Sequence, residues 1–362
     1  MGDFQVEQIP IPAALDGLGG ADFVASVEVR NASESHGYGT TEVAYPAEEM
    51  LPQWHDPYEP KVLWVARMHG RIVGRAVHES QLGPGGTLSQ VGWIDIDVHP
   101  EAEGHGIGRA LADTVEGYAR SLGQTRLICY AVSPASTAPG AELIRPPTGF
   151  GAVPAGNREV RFLLARGYRL EQVERASRFA LPGDLVLLAE LRESAERDAG
   201  RDYAMHRWAG PTPREWLADM ATLLTRMSTD APTAGLEEPE DIWSPARVEA
   251  FEQRVTASPR QTLTTVVEHR PTGRLAAFSQ LTVPHDPSRP VSQEDTLVLR
   301  EFRGHRLGTV VKTANLEFLQ SVDPGHPSVL TWNAEENRYM LAVNEVIGFV
   351  PIGYEGAWRS DL

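Results

Sequence analysis

The stretch DIDVHPEAEGHGIG, residues 95–108, aligns without a gap on DTLVLREFRGHRLG, residues 295–308. Asp95 falls on Asp295, Val98 on Val298, Gly104 on Gly304, His105 on His305 and Gly108 on Gly308. An internal repeat decides the architecture before any single motif does, because each copy must bury its own apolar face. Both stretches also share a context, with an apolar strand before the glycines and a helical pattern after them. VGWIDIDV (91–98) leads into GRALADTVEGYARSLG (108–123), where Ala110, Leu111, Val115 and Tyr118 recur at three- and four-residue spacing. TLVL leads into GTVVKTANLEFLQ in the second copy.

Outward from the two loops the likeness continues. Upstream lie two-strand signatures, VLWVARMHGRIVGRAVHES (62–80) with a turn at His69-Gly70, and QTLTTVVEHRPTGRLAAFSQLTV (261–283) with a turn at Pro271-Thr272-Gly273. Downstream come short apolar strands, LICYAV (127–132) and SVLTW (328–332), then a helix ending in glycine and a final strand. The charged run ELRESAERDAGRD (190–202) has no apolar stripe and reads as a linker, so the expected domains are 1–190 and 200–362. The predicted fold class is α/β, of the α+β kind: two tandem copies, each a mixed, mostly antiparallel central sheet flanked by helices.

Composition narrows the function. At 362 residues, 41% hydrophobic and 23% charged, the chain suits two globular domains. No run approaches the ~18 apolar residues of a membrane span. A formal charge of −16 excludes a nucleic-acid surface, which needs clustered Lys and Arg to displace counterions. The first residues lack a basic start and an apolar core of the secretory kind, and a single cysteine, Cys129, cannot form a disulfide within the chain; a cytoplasmic location is expected. No metal site is expected. Lys61 and Lys312 are the only lysines.

A strand that feeds a glycine-rich turn into a helix presents free backbone N–H groups and the positive end of the helix dipole to one point, which suits a phosphate. Gly104, Gly106 and Gly108 make G-x-G-x-G, which is neither the dinucleotide spacing nor a P-loop, and no acid ends LICYAV to hold a ribose.

These residues resemble the GNAT acyltransferase superfamily, with its strand ending V-x-P and its [QR]-x-x-G-x-[GA] loop opening a helix. Val98-His99-Pro100 and Glu103-Gly104-His105-Gly106-Ile107-Gly108 are the counterpart in the first copy, with Glu103 in place of Gln or Arg; in the second it is Arg303-Gly304-His305-Arg306-Leu307-Gly308, with Arg306 in place of a glycine. The stretch TWNAEENRYMLAVNEVIGF (331–349) is similar to the family's N-x-x-x-N-x-x-A-x-x-x-Y-x-x-x-G-F, with Asn333, Asn337, Gly348 and Phe349 matching and Asn344 where the tyrosine belongs. In the first copy GNREVRFLLARGYRL (156–170) puts Leu163 there, with no pair of asparagines. In architecture alone, the layout resembles the tandem, mycothiol-synthase-like actinobacterial acyltransferases.

The resemblance implies an acyl-CoA ligand, acetyl-CoA or another, held by Val298, Leu299, Arg303, Gly304, His305, Arg306, Leu307, Gly308 and Thr309 with Asn333 and Asn337. In the first copy the counterparts are Val98, Gly104, His105, Gly106, Ile107, Gly108 and Arg109. Backbone N–H groups at Val298 and Leu299 would face the thioester carbonyl, Arg303 and Arg306 the phosphates, and Asn337 the pantetheine arm. The tyrosine that usually protonates the thiolate is missing from both copies; Asn344 would polarise the thioester or hold a water.

Glu294 and Asp295 open the strand that leads to the loop and are the candidates for general base; the alternative is solvated strand-end acids, with Asp295 an inherited structural hydrogen-bonder. The stretch PTAGLEEPEDIWSP (232–245) is the expected acceptor-specificity loop, its acids Glu237, Glu238, Glu240 and Asp241 suited to a cationic amine. The expectation is an acyltransferase acetylating a primary amine of a small molecule by direct attack through a tetrahedral intermediate, in the C-terminal copy, with the N-terminal copy a degenerate scaffold. The rival is a non-catalytic tandem protein that binds acyl-CoA as a sensor or partner. A monomer is favoured over a homodimer.

Overall fold

The structure is a computed structural model that describes residues 4–136 and 138–362. It divides into two compact units, one of residues 1–174, 233–239 and 353–362, the other of residues 175–232 and 240–352.

The first unit begins with β1 (Phe4–Ile9), α1 (Gly20–Tyr38) and the single turn α2 (Ala47–Met50). Strands β2 (Lys61–Met68) and β3 (Arg71–Leu82) form the expected hairpin, with Met68 opposite Arg71. His69 and Gly70 both take positive φ, the two-residue turn whose twist matches that of paired strands. Next come β4 (Leu88–Val98), α3 (Ile107–Ser121), β5 (Arg126–Pro134), the short pair β6 (Leu143–Ile144) and β7 (Val153–Pro154), α4 (Arg158–Ala165) and β8 (Arg169–Ala180). The apolar stripe predicted for α3 is real: Leu111 and Val115 are buried with Ile107 and Ala119. Gly74 on β3 is required by this packing, since a Cβ there would lie 2.7 Å from the Ile107 side chain.

The second unit holds α5 (Leu185–Ala199), β9 (Tyr203–Ala209), α6 (Leu217–Asp230), α7 (Pro245–Ala257), β10 (Arg260–His269), β11 (Arg274–Pro284), β12 (Val291–Val298), α8 (Leu307–Val322), β13 (Ser328–Ala334) and α9 (Arg338–Ile347), followed by β14 (Val350–Asp361). The charged run read as a linker is the C-terminal half of α5. Asp184 caps that helix by accepting from the N–H groups of Val186 and Leu187, and Leu188 and Ala195 are buried. Past residue 190 its packed face is Leu191, Ala195 and Ala199, a stripe made mostly of alanine among charged residues. With α5 against it, α8 is buried on nearly every side from Leu307 to Leu316, unlike the amphipathic α3.

In both units antiparallel strands run up to a short parallel pair, giving the mixed, mostly antiparallel sheet expected. The repeat did not disclose one feature. Residues 353–361 of β14 pair antiparallel with β5, and Trp358, fully buried, belongs to the first unit's core with Leu127, Cys129 and Tyr168. Phe179 of β8 packs in the second unit's core with Ile347 and Phe349. Each copy's last strand thus completes the other unit's core.

Candidate functional site

Each unit contains a fork. In the second unit β12 and β13 are paired only at Val291–Val329 and Ser292–Leu330, then part. In the first unit β4 and β5 are paired from Val91–Arg126 to Trp93–Ile128. Backbone groups alternate in direction along a strand, so one edge of β12 beyond Ser292 has lost its partner. The Leu299 N–H donates to the Ala276 carbonyl at 3.0 Å, which takes it away from the thioester role expected for it. Val298, one residue earlier, directs its N–H to the open edge, and on that edge its carbonyl accepts from Arg303 Nε at 3.2 Å. A β-bulge opposite Gln280 precedes this stretch. Gln293 fills the bulge, donating from Nε2 to the Gln280 carbonyl at 2.7 Å and to Ser279 Oγ at 3.1 Å.

The loop before α8 has the predicted form. Among the described residues, the N–H groups of Gly304, His305, Arg306, Leu307 and Gly308 have no backbone partner, and Thr309, buried, is the first to bond back into the turn. Gly304 and Arg306 take positive φ, as do Gly104 and Gly106. At Arg306 that conformation costs about 1 kcal/mol that glycine escapes. Its guanidinium donates to Asp198 Oδ2 at 2.7 Å and to Ser194 Oγ at 3.2 Å on α5, while Arg303 lies 3.4 Å from Asp230. The histidines have structural contacts. His105 Nδ1 lies 2.8 Å from the Glu103 carbonyl, and the His305 ring lies against Tyr203. In the first unit Ile107 is buried, Arg109 is exposed and Glu103 is paired with Arg158. Gly108 and Gly308 occupy matching places, with Val98 and Val298 3.6 and 3.7 Å from where a Cβ would stand.

Of the two candidate bases, Glu294 is exposed and 3.9 Å from Arg260. Asp295 is half-buried, and burial pushes its carboxyl up to about 7, helped by the negative charges of Glu294 and Asp241. Asn337 caps α9, its Oδ1 accepting from the Met340 N–H at 3.3 Å. Asn344 is buried; its Nδ2 donates to Asn333 Oδ1 at 2.6 Å and its Oδ1 accepts from Lys312 Nζ at 2.7 Å. Lys312, which the motif reading passed over, is fully buried, and burial pushes its ammonium down to about 7. Its signal was available: one of only two lysines, set inside the apolar run GTVVKTANL.

The first unit places different groups around its fork. Arg75, fully buried, donates to Asp97 at 2.8 Å and to Asp95. Burial raises the Asp97 carboxyl, and Asp95 beside it adds to the rise. Glu34 on α1 is pushed up to about 7 by burial, against the opposing Arg30. Leu163, in the tyrosine position, is part of the core. Asn157 caps α4 as Asn337 caps α9, and also donates to the Val132 carbonyl at 2.8 Å. It is the first copy's counterpart of Asn337 in its place at a helix start.

The expected specificity loop divides. Its residues 233–239 belong to the first unit, where Leu236 is buried with Val91, Ile128 and Ala357. There Glu237 pairs with Arg126 and Arg359, and Glu238 accepts from Trp93 and Tyr130. Asp241, in the second unit, pairs with Arg247 and accepts from Trp243 Nε1 at 2.7 Å. These acids are engaged in holding the fold.

The residues present fit an acyl-CoA. The second unit offers an unpaired strand edge at Val298, a run of N–H groups without backbone partners at a helix start, and a glycine in the first helical turn. No helix among the described residues is long and apolar enough to cross a membrane.

Comparison with known proteins bears on the fold. Residues 25–139 match the model of the family described as "Acetyltransferase (GNAT) family". No curated protein sequence matches the chain significantly. A tandem GNAT protein from the clavulanic acid biosynthesis pathway superposes with a TM-score of 0.72 at 24% identity, covering 99% of this chain and 98% of that one. A GCN5-related N-acetyltransferase from Sphaerobacter thermophilus superposes with a TM-score of 0.59 at 14% identity, covering 99% and 96%. Saccharomyces cerevisiae N-myristoyltransferase, solved with myristoyl-CoA and inhibitors, superposes with a TM-score of 0.58 at 11% identity, covering 100% and 80%. The chain carries the GNAT fold twice in tandem, and the sequence match to the GNAT acetyltransferase family lies in its first copy.

Proposed function

We propose that the chain is an acyl-CoA-dependent acyltransferase whose second unit transfers an acyl group, acetyl in the simplest case, to the primary amine of a small molecule. The observation that carries this reading is Asp295: a half-buried carboxyl with its affinity for protons raised to neutrality, on the strand whose freed edge leads through Val298 to the unpaired N–H run. A general base works best when it titrates near the working pH. When bound, an acyl-CoA supplies the acyl group as a thioester, which the amine nitrogen attacks directly.

The residues then divide the work. The N–H groups of Gly304 to Gly308 hold the phosphates, and Arg303 and Arg306 would join them only by leaving Asp230 and Asp198. The Val298 N–H faces the thioester carbonyl, and Asn337 faces the pantetheine arm. Asp295 takes the proton that the amine must lose, while Glu294, exposed, keeps the approach negative and favours a cationic acceptor.

Titration calorimetry of acetyl-CoA against the wild type, Gly108→Glu and Gly308→Glu tests this. The two glycines occupy matching places, with a valine 3.6 and 3.7 Å from where a Cβ would stand; Gly308 is the more buried of the two, so circular dichroism of each variant accompanies the titration to show that the fold is kept. Loss of binding in Gly308→Glu, at least about tenfold, is expected. Loss confined to Gly108→Glu moves the site to the first unit. No binding by the wild type ends the acyltransferase reading.

A further inference from the structure

Lys312 lies on α8 with 1% of its surface exposed, and among the described residues no carboxylate pairs with it. Its ammonium donates to Asn344 Oδ1 at 2.7 Å and lies 5.5 Å from the centre of the Phe349 ring and 3.9 Å from Met340 Sδ. An ammonium taken out of water without a counter-ion costs several kcal/mol. Nothing in the fold demands it, because Ala112 holds the equivalent position in the first unit and is equally buried. A cation buried at that cost suits an anion that arrives with the ligand.

The hydrogen bonds say where that anion sits. Because Asn344 Oδ1 is occupied by Lys312, its Nδ2 is the end turned to Asn333, and it donates to Asn333 Oδ1 at 2.6 Å. Asn333 is thereby committed as an acceptor at Oδ1, and its own Nδ2 has no partner among the described residues. It stands on β13 three residues past Leu330, the last residue paired with β12, at the opening of the fork. The positive ends of all three groups run in one direction, from Lys312 toward the fork, and each bond strengthens the next.

We infer that Lys312 is a positioning residue which, through Asn344, fixes Asn333 as a hydrogen-bond donor to the coenzyme sulfur and so stabilises the thiolate. This rests on the acyltransferase reading above. As the acyl carbon–sulfur bond breaks, its electron pair goes to sulfur. The carbon–nitrogen bond forms, and the proton lost by the amine goes to Asp295. The chain of three moves no proton; it lowers the energy of the anion, where a tyrosine would neutralise it.

The test uses the full chain carrying Gly108→Glu, so that coenzyme is confined to the second unit. The thiol of bound CoA is titrated by its ultraviolet thiolate absorbance, with Lys312→Met and Asn333→Ala compared against the parent. Affinity for desulfo-CoA is measured alongside. In the parent, bound CoA should carry roughly tenfold more thiolate than free CoA at the same pH. Both substitutions should abolish that excess and leave desulfo-CoA affinity within about twofold. A thiol that titrates alike in the parent and in Asn333→Ala overturns the inference, and this holds even if Lys312→Met does not fold. Equal losses of CoA and desulfo-CoA binding overturn it too, since Lys312 would then only hold the site's shape. Failure of the parent to bind either ligand brings down the second unit as the acyltransferase site along with it, whereas binding with an unshifted thiol removes this inference alone.

Discussion

The two units carry the same strand, loop and helix, yet each buries its charge in a different place. In the first, Arg75 on β3 lies opposite Asp97 on β4 and bonds both Asp97 and Asp95. The register puts Phe278 opposite Leu297 in the second unit, an apolar pair at the same point. On the helix the order reverses: Ala112 in the first unit, Lys312 in the second, with Leu163 facing its core where Asn344 faces Lys312. The frame therefore tolerates either arrangement. What distinguishes the units is where a desolvated charge is kept: beside the strand in one, and behind the fork, bonded through Asn344 to Asn333, in the other.

The largest effect should come from breaking the first arrangement. Arg75→Met leaves Asp97 buried without its cation and should destabilise the first unit by about 3–5 kcal/mol. The double variant Arg75→Phe with Asp97→Leu imports the second unit's apolar pair and should recover most of that loss. Hydrogen exchange of the β3 and β4 amides in the full chain reads both. If the double variant exchanges as fast as the single one, the two arrangements are not interchangeable and the ion triad has a shape that an apolar pair cannot fill.

Much of this was legible in sequence because glycines and strand periodicity report on backbone. The repeat located both loops, the His69-Gly70 hairpin and the short parallel strands. Side-chain polarity set deep in a core was harder to read. Arg75 appears in sequence as one charge in an ordinary alternating strand, and its partners are twenty and more residues away. Lys312 breaks an apolar helix run, but a template of family motifs has no place for it. The charged half of α5 misled because the residues it packs, Leu191, Ala195 and Ala199, are mostly alanines spaced among charges, too small to stand out as an apolar stripe. Residues 353–361 could not be assigned to the first unit by any local rule, since a strand's own sequence does not name its neighbour.

Asp95 and Asp295, aligned by the repeat, should respond to the same substitution with opposite signs. Asp95 bonds buried Arg75, so Asp95→Asn weakens a charge-assisted hydrogen bond and should cost about 1.5–3 kcal/mol. Among the described residues no cation pairs with Asp295, and its folded-state carboxyl titrates near 7 rather than at the ordinary 3.8. Between those pH values the folded state binds more protons than the unfolded one, so wild-type stability falls as pH rises through the window. Asp295→Asn should therefore be neutral near pH 4 and stabilising by about 1–2 kcal/mol above pH 7. It should also abolish catalysis in the second unit. Thermal unfolding of each variant at pH 4 and pH 8 makes the comparison. Equal and pH-independent responses would mean that Asp295 has an inherited structural role, and would remove the base from the proposed mechanism.

The smallest effect concerns the loop whose acids suggested an amine site. Glu237 belongs to the first unit, its side chain is 61% exposed, and it pairs with Arg126 and Arg359. Exposed ion pairs contribute about 0–1 kcal/mol because water screens both partners and long side chains lose freedom. Asp241 belongs to the second unit and pairs with Arg247, whose side chain is 2% exposed and lies over the Trp243 ring. Glu237→Ala should shift first-unit stability by less than about 1 kcal/mol, with Leu236 still holding the segment by burial. Asp241→Ala should cost its unit more, because it leaves a buried guanidinium short of its acid. A Glu237→Ala loss equal to that of Asp241→Ala would show that Glu237, Arg126 and Arg359 act as a network, in which one exposed acid organises two arginines that the sequence alone presents as unrelated surface charges.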